Sequence, residues 1–95
     1  MSKLRESARG QECHLRLPGV CNFDPETTVL AHINRVGISG VGQKPPDVCG
    51  VFACSACHDV IDRRAKSLLD AFERDTYLFE GHLRTLAYWD KEGLI

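Results

Sequence analysis

With 95 residues, 43% of them hydrophobic, the chain has room for one compact core and excludes a multidomain arrangement. A net charge of −1 and a pI near 6.4 remove any overall pull toward polyanions. No apolar run approaches the roughly 18 residues that cross a bilayer, so no membrane partner is expected.

The chain opens Met1-Ser2-Lys3-Leu4-Arg5 with no apolar leader, and the expected compartment is the cytoplasm. In a reducing compartment, five cysteines at short spacing read as metal ligands or redox groups rather than as a disulfide framework. Residues 13–21, Cys-His-Leu-Arg-Leu-Pro-Gly-Val-Cys, place a Pro18-Gly19 turn between two thiols, the form of a metal-gripping loop. Residues 27–33, rich in β-branched side chains, predict a strand carrying His32. Gly37, Gly40, Gly42 and Pro45-Pro46 break any helix, so 36–47 is expected to be a loop before a second short strand at about 48–53. From Cys54 no glycine or proline appears until Gly81. A short helix is expected from Ser55 through Arg64, and a longer one over about 68–91, ended by Gly93. Phe79, Leu83 and Leu86 at i, i+4 and i+7, extended by Phe72 and Trp89, are expected to be its core face.

Charge is unevenly spread. Residues 1–66 carry nine Lys/Arg against seven Asp/Glu, a net of +2, and residues 67–95 carry three against six, a net of −3. A polyanion should therefore meet the first two thirds.

Cys54-Ser55-Ala56-Cys57 supplies two thiolates from one tight turn, and Cys13 with Cys21 supplies two more. Four soft ligands suit a tetrahedral structural zinc, which would join distant segments of a thin core. The competing reading leaves some of these thiols buried and free. His58 follows the second pair directly, and Asp62 stands one helical turn later on the same face. Together they offer a platform for a hard divalent cation such as Mg²⁺, open on its other side to a phosphate oxygen. His32 on the preceding strand can face the start of that helix and act as general base. Arg35, Arg63, Arg64 and Lys66 lie close in sequence and are candidates to hold phosphates, a solvated role being the alternative for each. His14 and His82 receive no chemistry, His14 being a minor alternative zinc ligand.

Strand-histidine, loop, strand, then Cys-x-x-Cys-His entering a helix resembles the HNH endonucleases. The segments Ala8-Arg9-Gly10-Gln11-Glu12-Cys13, Pro18-Gly19-Val20-Cys21-Asn22, Pro25 through His32, Ala53 through Asp59, Ile61-Asp62-Arg63-Arg64 and Lys91 through Ile95 are similar to the YbcO-like nucleases of lambdoid phages and prophages. The resemblance implies an α+β, treble-clef-like ββα-metal fold with an additional C-terminal helix, a zinc loop and ββα unit at about 11–66, and a helical part at about 67–95. It also implies action on DNA, in phage recombination or repair. Two positions depart from the pattern. Ala31 stands where many HNH enzymes have an acidic residue or histidine before the strand histidine, and Cys49 stands where an asparagine often precedes the helix histidine. Asp47 and Asn34 are the candidates to compensate.

Other functions fit less well. Cys-x-x-Cys-His is also a haem attachment sequence, but the only methionine is Met1 and Cys13 and Cys21 would be left without a role, so no haem is expected. A thioredoxin-like protein would need a βαβ pattern beside the CxxC, and a zinc deaminase would need His-x-Glu with Pro-Cys-x-x-Cys. The main rival is a non-catalytic zinc module that binds DNA or a protein partner.

Overall fold

The computed structural model describes residues 2–35 and 44–95, so the expected 36–47 loop falls over 36–43 outside the described residues. The element order is α1 (Lys3–Ser7), a 3₁₀ turn (Pro25–Thr27), β1 (Val29–His32), β2 (Gly50–Ala53), α2 (Ser55–Ile61) and α3 (Ala71–Lys91). Helix α1 was not foreseen: Ser2 caps it by accepting from the Leu4 and Arg5 amides.

β1 and β2 form an antiparallel pair in the register Val29↔Ala53, Leu30↔Phe52, Ala31↔Val51 and His32↔Gly50. Alternation along the pair gives both faces something to bury. Leu30 and Phe52 pack with Ala8 and Trp89 on one face. Ala31, Val51 and Ala53 pack on the other with Leu15, Leu17, Val60, Leu78 and the cysteines. The Trp89 indole donates to Ser7 Oγ at 2.8 Å, which ties α1 to α3.

Helix α2 ends at Ile61, three residues before the expected Arg64, because Arg63 adopts a left-handed φ of 61°. Helix α3 begins later than 68. Asp70 and Glu73 close a capping box there, each side chain accepting from the other's amide. At the other end Gly93, with φ 71°, lets the Leu94 amide reach the Trp89 carbonyl, as the sequence reading anticipated for the helix stop.

The expected core face of α3 holds at Trp89, and at Leu86, which packs partly buried against the same cluster, but fails at Phe72, Phe79 and Leu83. Leu78, Gly81, Thr85 and Trp89 are buried, whereas Phe72, Phe79 and Leu83 are exposed. Around Gly81, helix α3 meets the backbone of residue 14 and not only side chains. A Cβ on Gly81 would stand 2.9 Å from the His14 carbonyl oxygen and 3.0 Å from Val51, so only glycine permits this approach. Thr85 serves the same face through hydrogen bonds: its Oγ1 accepts from the Phe52 amide at 3.0 Å and bonds His14 Nδ1 at 2.8 Å.

Candidate metal centre and histidine groove

The cysteine site is built by two turns. Gly19 takes φ 70°, and the Val20 and Cys21 amides both donate to the Leu17 carbonyl, folding Cys21 back toward Cys13. Cys54 is the N-cap of α2 and accepts from the Cys57 amide through Sγ, while the Arg16 amide donates to Cys13 Sγ. Thr27 Oγ1 accepts from the Ser55 amide and Asn22 donates to Ser55 Oγ, so the first loop is fastened to the start of α2.

All five cysteines are free. The sulfurs of Cys13, Cys21, Cys54 and Cys57 lie within 4.8 Å of one another, close enough to hold one metal ion. Sulfurs arranged tetrahedrally at about 2.3 Å from zinc would be about 3.8 Å apart. Cys54 and Cys21 are 3.9 Å apart, so the donor set fits such an ion in both chemistry and spacing. A hydrogen bond from Cys57 lowers the Cys13 thiol to about 4, whereas Cys57, as its donor and under burial, is pushed far upward. Burial also raises Cys21 to about 11. Cys49 lies apart from the cluster, lining an apolar groove with Ile33, Leu78 and Phe79.

A second site opens where β1 and α2 face each other. His32, Asn34, His58 and Asp62 line a groove of about 680 Å³, with Arg5, Lys44 and Arg64 among its walls. His32 Nε2 lies 2.7 Å from Asp47 Oδ1, so the ring donates there and Nδ1 is left as its basic nitrogen. Asp47 is held below the usual carboxylate range by hydrogen bonds from Ser2 and His32, and Arg5 stands 3.5 Å from its other oxygen. Asp47 and Asn34 are thus both at the site, while Ala31 faces the core and Cys49 belongs to the other groove.

His58 Nε2 and Asp62 Oδ2 are 2.9 Å apart. This is a direct hydrogen-bonding distance between residues one helical turn apart, and it presents an imidazole and a carboxylate together to the groove. Among the described residues no third metal-ligating side chain gathers with them. Arg64 donates to the same Asp62 oxygen at 2.6 Å.

The cations expected near this site divide. Arg64 lines the histidine groove, Arg35 and Arg63 line an adjoining cleft, and Lys66 lines neither. Sequence reasoning missed Arg5, Lys44 and Arg74; the cap signal of Ser2 before Lys3-Leu4-Arg5-Glu6 is the cue that would have placed Arg5 on a helix. His14 and His82 are structural, His14 stacking on Phe52 and His82 bonding the Gly50 carbonyl.

A model of the family described as "Putative nuclease YbcO" matches residues 2–94. Two relatives, "Putative nuclease YbcO" of Escherichia coli (strain K12) and "Putative nuclease ybcO" of Enterobacteria phage 82, are each 53% identical over 95 residues, covering 100% of this chain and 98% of theirs. A solved structure described as that of a putative bacteriophage protein from Escherichia coli str. K-12 substr. MG1655 is 49% identical, with a TM-score of 0.79 over 96% of this chain and 100% of that chain.

Proposed function

The chain belongs to the YbcO family of nucleases, and on that premise we propose that it is a metal-dependent DNA endonuclease of the HNH, or ββα-metal, type. In this reading the whole chain is one nuclease domain, stapled by a structural zinc on Cys13, Cys21, Cys54 and Cys57, and it serves phage recombination or repair. The observation that carries the reading is the convergence of His32 from β1 and the His58–Asp62 pair from α2 on one groove of a β–β–α unit.

The roles follow from the geometry. His32 accepts a proton from the attacking water at Nδ1, because Asp47 fixes the hydrogen on Nε2. As the ring becomes cationic, the ionised Asp47 carboxylate stabilises it, and Arg5 keeps that carboxylate in place. A divalent ion such as Mg²⁺ held by His58 and Asp62 would supply Lewis-acid stabilisation of the scissile phosphate and the leaving oxygen. Mg²⁺ is usually bound through one or two carboxylates together with substrate phosphate, and Asp62 would be the carboxylate here. Arg64 exchanges its contact with Asp62 for a phosphate oxygen when DNA enters.

The lack of a third ligand among the described residues favours a second reading, a zinc module that binds DNA or a protein partner without cutting. Two variants separate them. His32→Ala should retain zinc and DNA binding but lose about 10²–10⁴ in cleavage rate. His58→Ala should weaken the catalytic ion, so that raised Mn²⁺ restores part of the activity. If neither variant slows cleavage, the assigned site is wrong. If the parent retards DNA but cuts none with Mg²⁺, Mn²⁺, Ni²⁺ or Zn²⁺, the binding module is the function.

A further inference from the structure

Three depressions adjoin on one side of the molecule. The histidine groove shares Asn34 with a cleft of about 460 Å³ that holds Arg35, Arg63 and Arg74. That cleft in turn shares Arg35, Asp75 and Leu78 with the apolar groove of about 320 Å³ lined by Ile33, Cys49 and Phe79. The chain itself directs this division. Along β1 and the residues that follow it, His32 lines the first depression, Asn34 its boundary with the second, and Arg35 the boundary of the second with the third. At the end of α2 the left-handed turn at Arg63 splits neighbours, sending Asp62 and Arg64 to the groove and Ile61 and Arg63 to the cleft.

The cleft carries three guanidinium groups against the single carboxylate of Asp75, which pairs with Arg35 at 2.7 Å. Arg63 and Arg74 enter none of the ion pairs among the described residues. Beyond the cleft, Phe79 is 63% exposed at the edge of the apolar groove. Cations followed by an accessible aromatic and an apolar floor match a sugar-phosphate backbone with an unpaired base: the phosphates meet the arginines and the base stacks. A duplex would keep its bases stacked on each other and present only phosphates, which leaves the aromatic groove without a counterpart.

We propose that the Arg35–Arg63–Arg74 cleft and the Phe79 groove bind a single-stranded stretch of nucleic acid leaving the cleavage groove. The substrate class is then DNA with a single-stranded segment beside the cut, the arginines reading phosphate and Phe79 stacking on a base. This rests on the nuclease reading.

The test is fluorescence anisotropy without added Mg²⁺ or Mn²⁺, using a blunt labelled duplex, the same duplex with a single-stranded tail, and the same tail made abasic. The tailed duplex should bind about tenfold or more tighter than the blunt one, and Phe79→Ala or the abasic tail should each lose the stacking share of that gain, about fivefold or more, while the arginine–phosphate share remains. Arg63→Ala and Arg74→Ala should each lower the slope of log K against log salt by about 0.7–0.9, while Lys91→Ala, at the far end of α3, leaves it unchanged. Melting temperatures confirm that the variants fold. Equal binding of blunt and tailed duplexes by a parent that cuts DNA overturns this inference alone, as does an abasic tail that binds as well as a base-bearing one. Failure to bind or cut any nucleic acid overturns the nuclease reading as well.

Discussion

Replacing Cys54 or Cys57 with serine should remove metal and fold together. Both sulfurs are buried, beside Val51 and Ala53 at the centre of one core cluster, and the ion would join residues 13–21 to the start of α2. A structural zinc in a small domain contributes about 10–16 kcal/mol of apparent binding free energy. A chain of 95 residues has a net stability of about 5–14 kcal/mol. Losing one of four thiolates also leaves a hydroxyl and three thiols in a space shaped for an ion, so the deficit exceeds what the core can offset. Zinc content by atomic emission and secondary structure by circular dichroism give the answer: one zinc per chain in the parent, none in the variants, and loss of the cooperative unfolding transition. Cys49→Ser is the internal control, because Cys49 lies outside the cluster, and it should keep its zinc. A fully folded, zinc-free parent would refute the reasoning, and loss of zinc in Cys49→Ser would show that the wrong thiols were grouped.

Thr85→Val should lower stability by about 2–5 kcal/mol, since it orphans the buried Phe52 amide and removes the partner of His14, and thermal unfolding would show a fall on the order of 10 °C or more. Gly81→Ala should destabilise too, although alanine is the better helix former, because its methyl group meets the His14 carbonyl; a rise in the urea midpoint would contradict the close approach. Asp47→Asn should keep zinc yet slow cleavage by about tenfold or more, as an amide no longer stabilises the histidine cation. The same substitution tests pH dependence. Asp47 has a lowered pKa in the fold, so its contribution is present above the unfolded value of about 3.9 and is lost as pH falls from there through the lowered value. Parent minus variant stability from urea titrations should shrink in that window; a difference independent of acid pH would remove Asp47 from the account.

Where local chemistry suffices, the sequence was decisive. Pro18-Gly19 between two cysteines and Cys54-x-x-Cys57 at a helix start each bring two sulfurs together, because each turn is fixed by residues within a few positions, while joining the two pairs is left to contacts such as those of Asn22 and Thr27 with Ser55. The β-branched run before His32 and the glycine after Lys91 placed a strand and a helix stop for the same reason. Helix α2 ran short of its expected end because a left-handed Arg63 has no signature in composition. Which side of α3 faces inward was a tertiary decision. Hydrophobicity favoured Phe79 and Leu83, but the partner surface is the backbone of residue 14 and the edge of Val51, which admit Gly81 and a hydrogen-bonding Thr85 instead. The same holds at the histidine groove. Arg5 and Asp47, 42 positions apart in the chain, meet at His32 only once α1 lies against β1. Likewise the split of Arg63 and Arg64 between two depressions comes from one backbone angle, set by how the chain leaves α2 for α3.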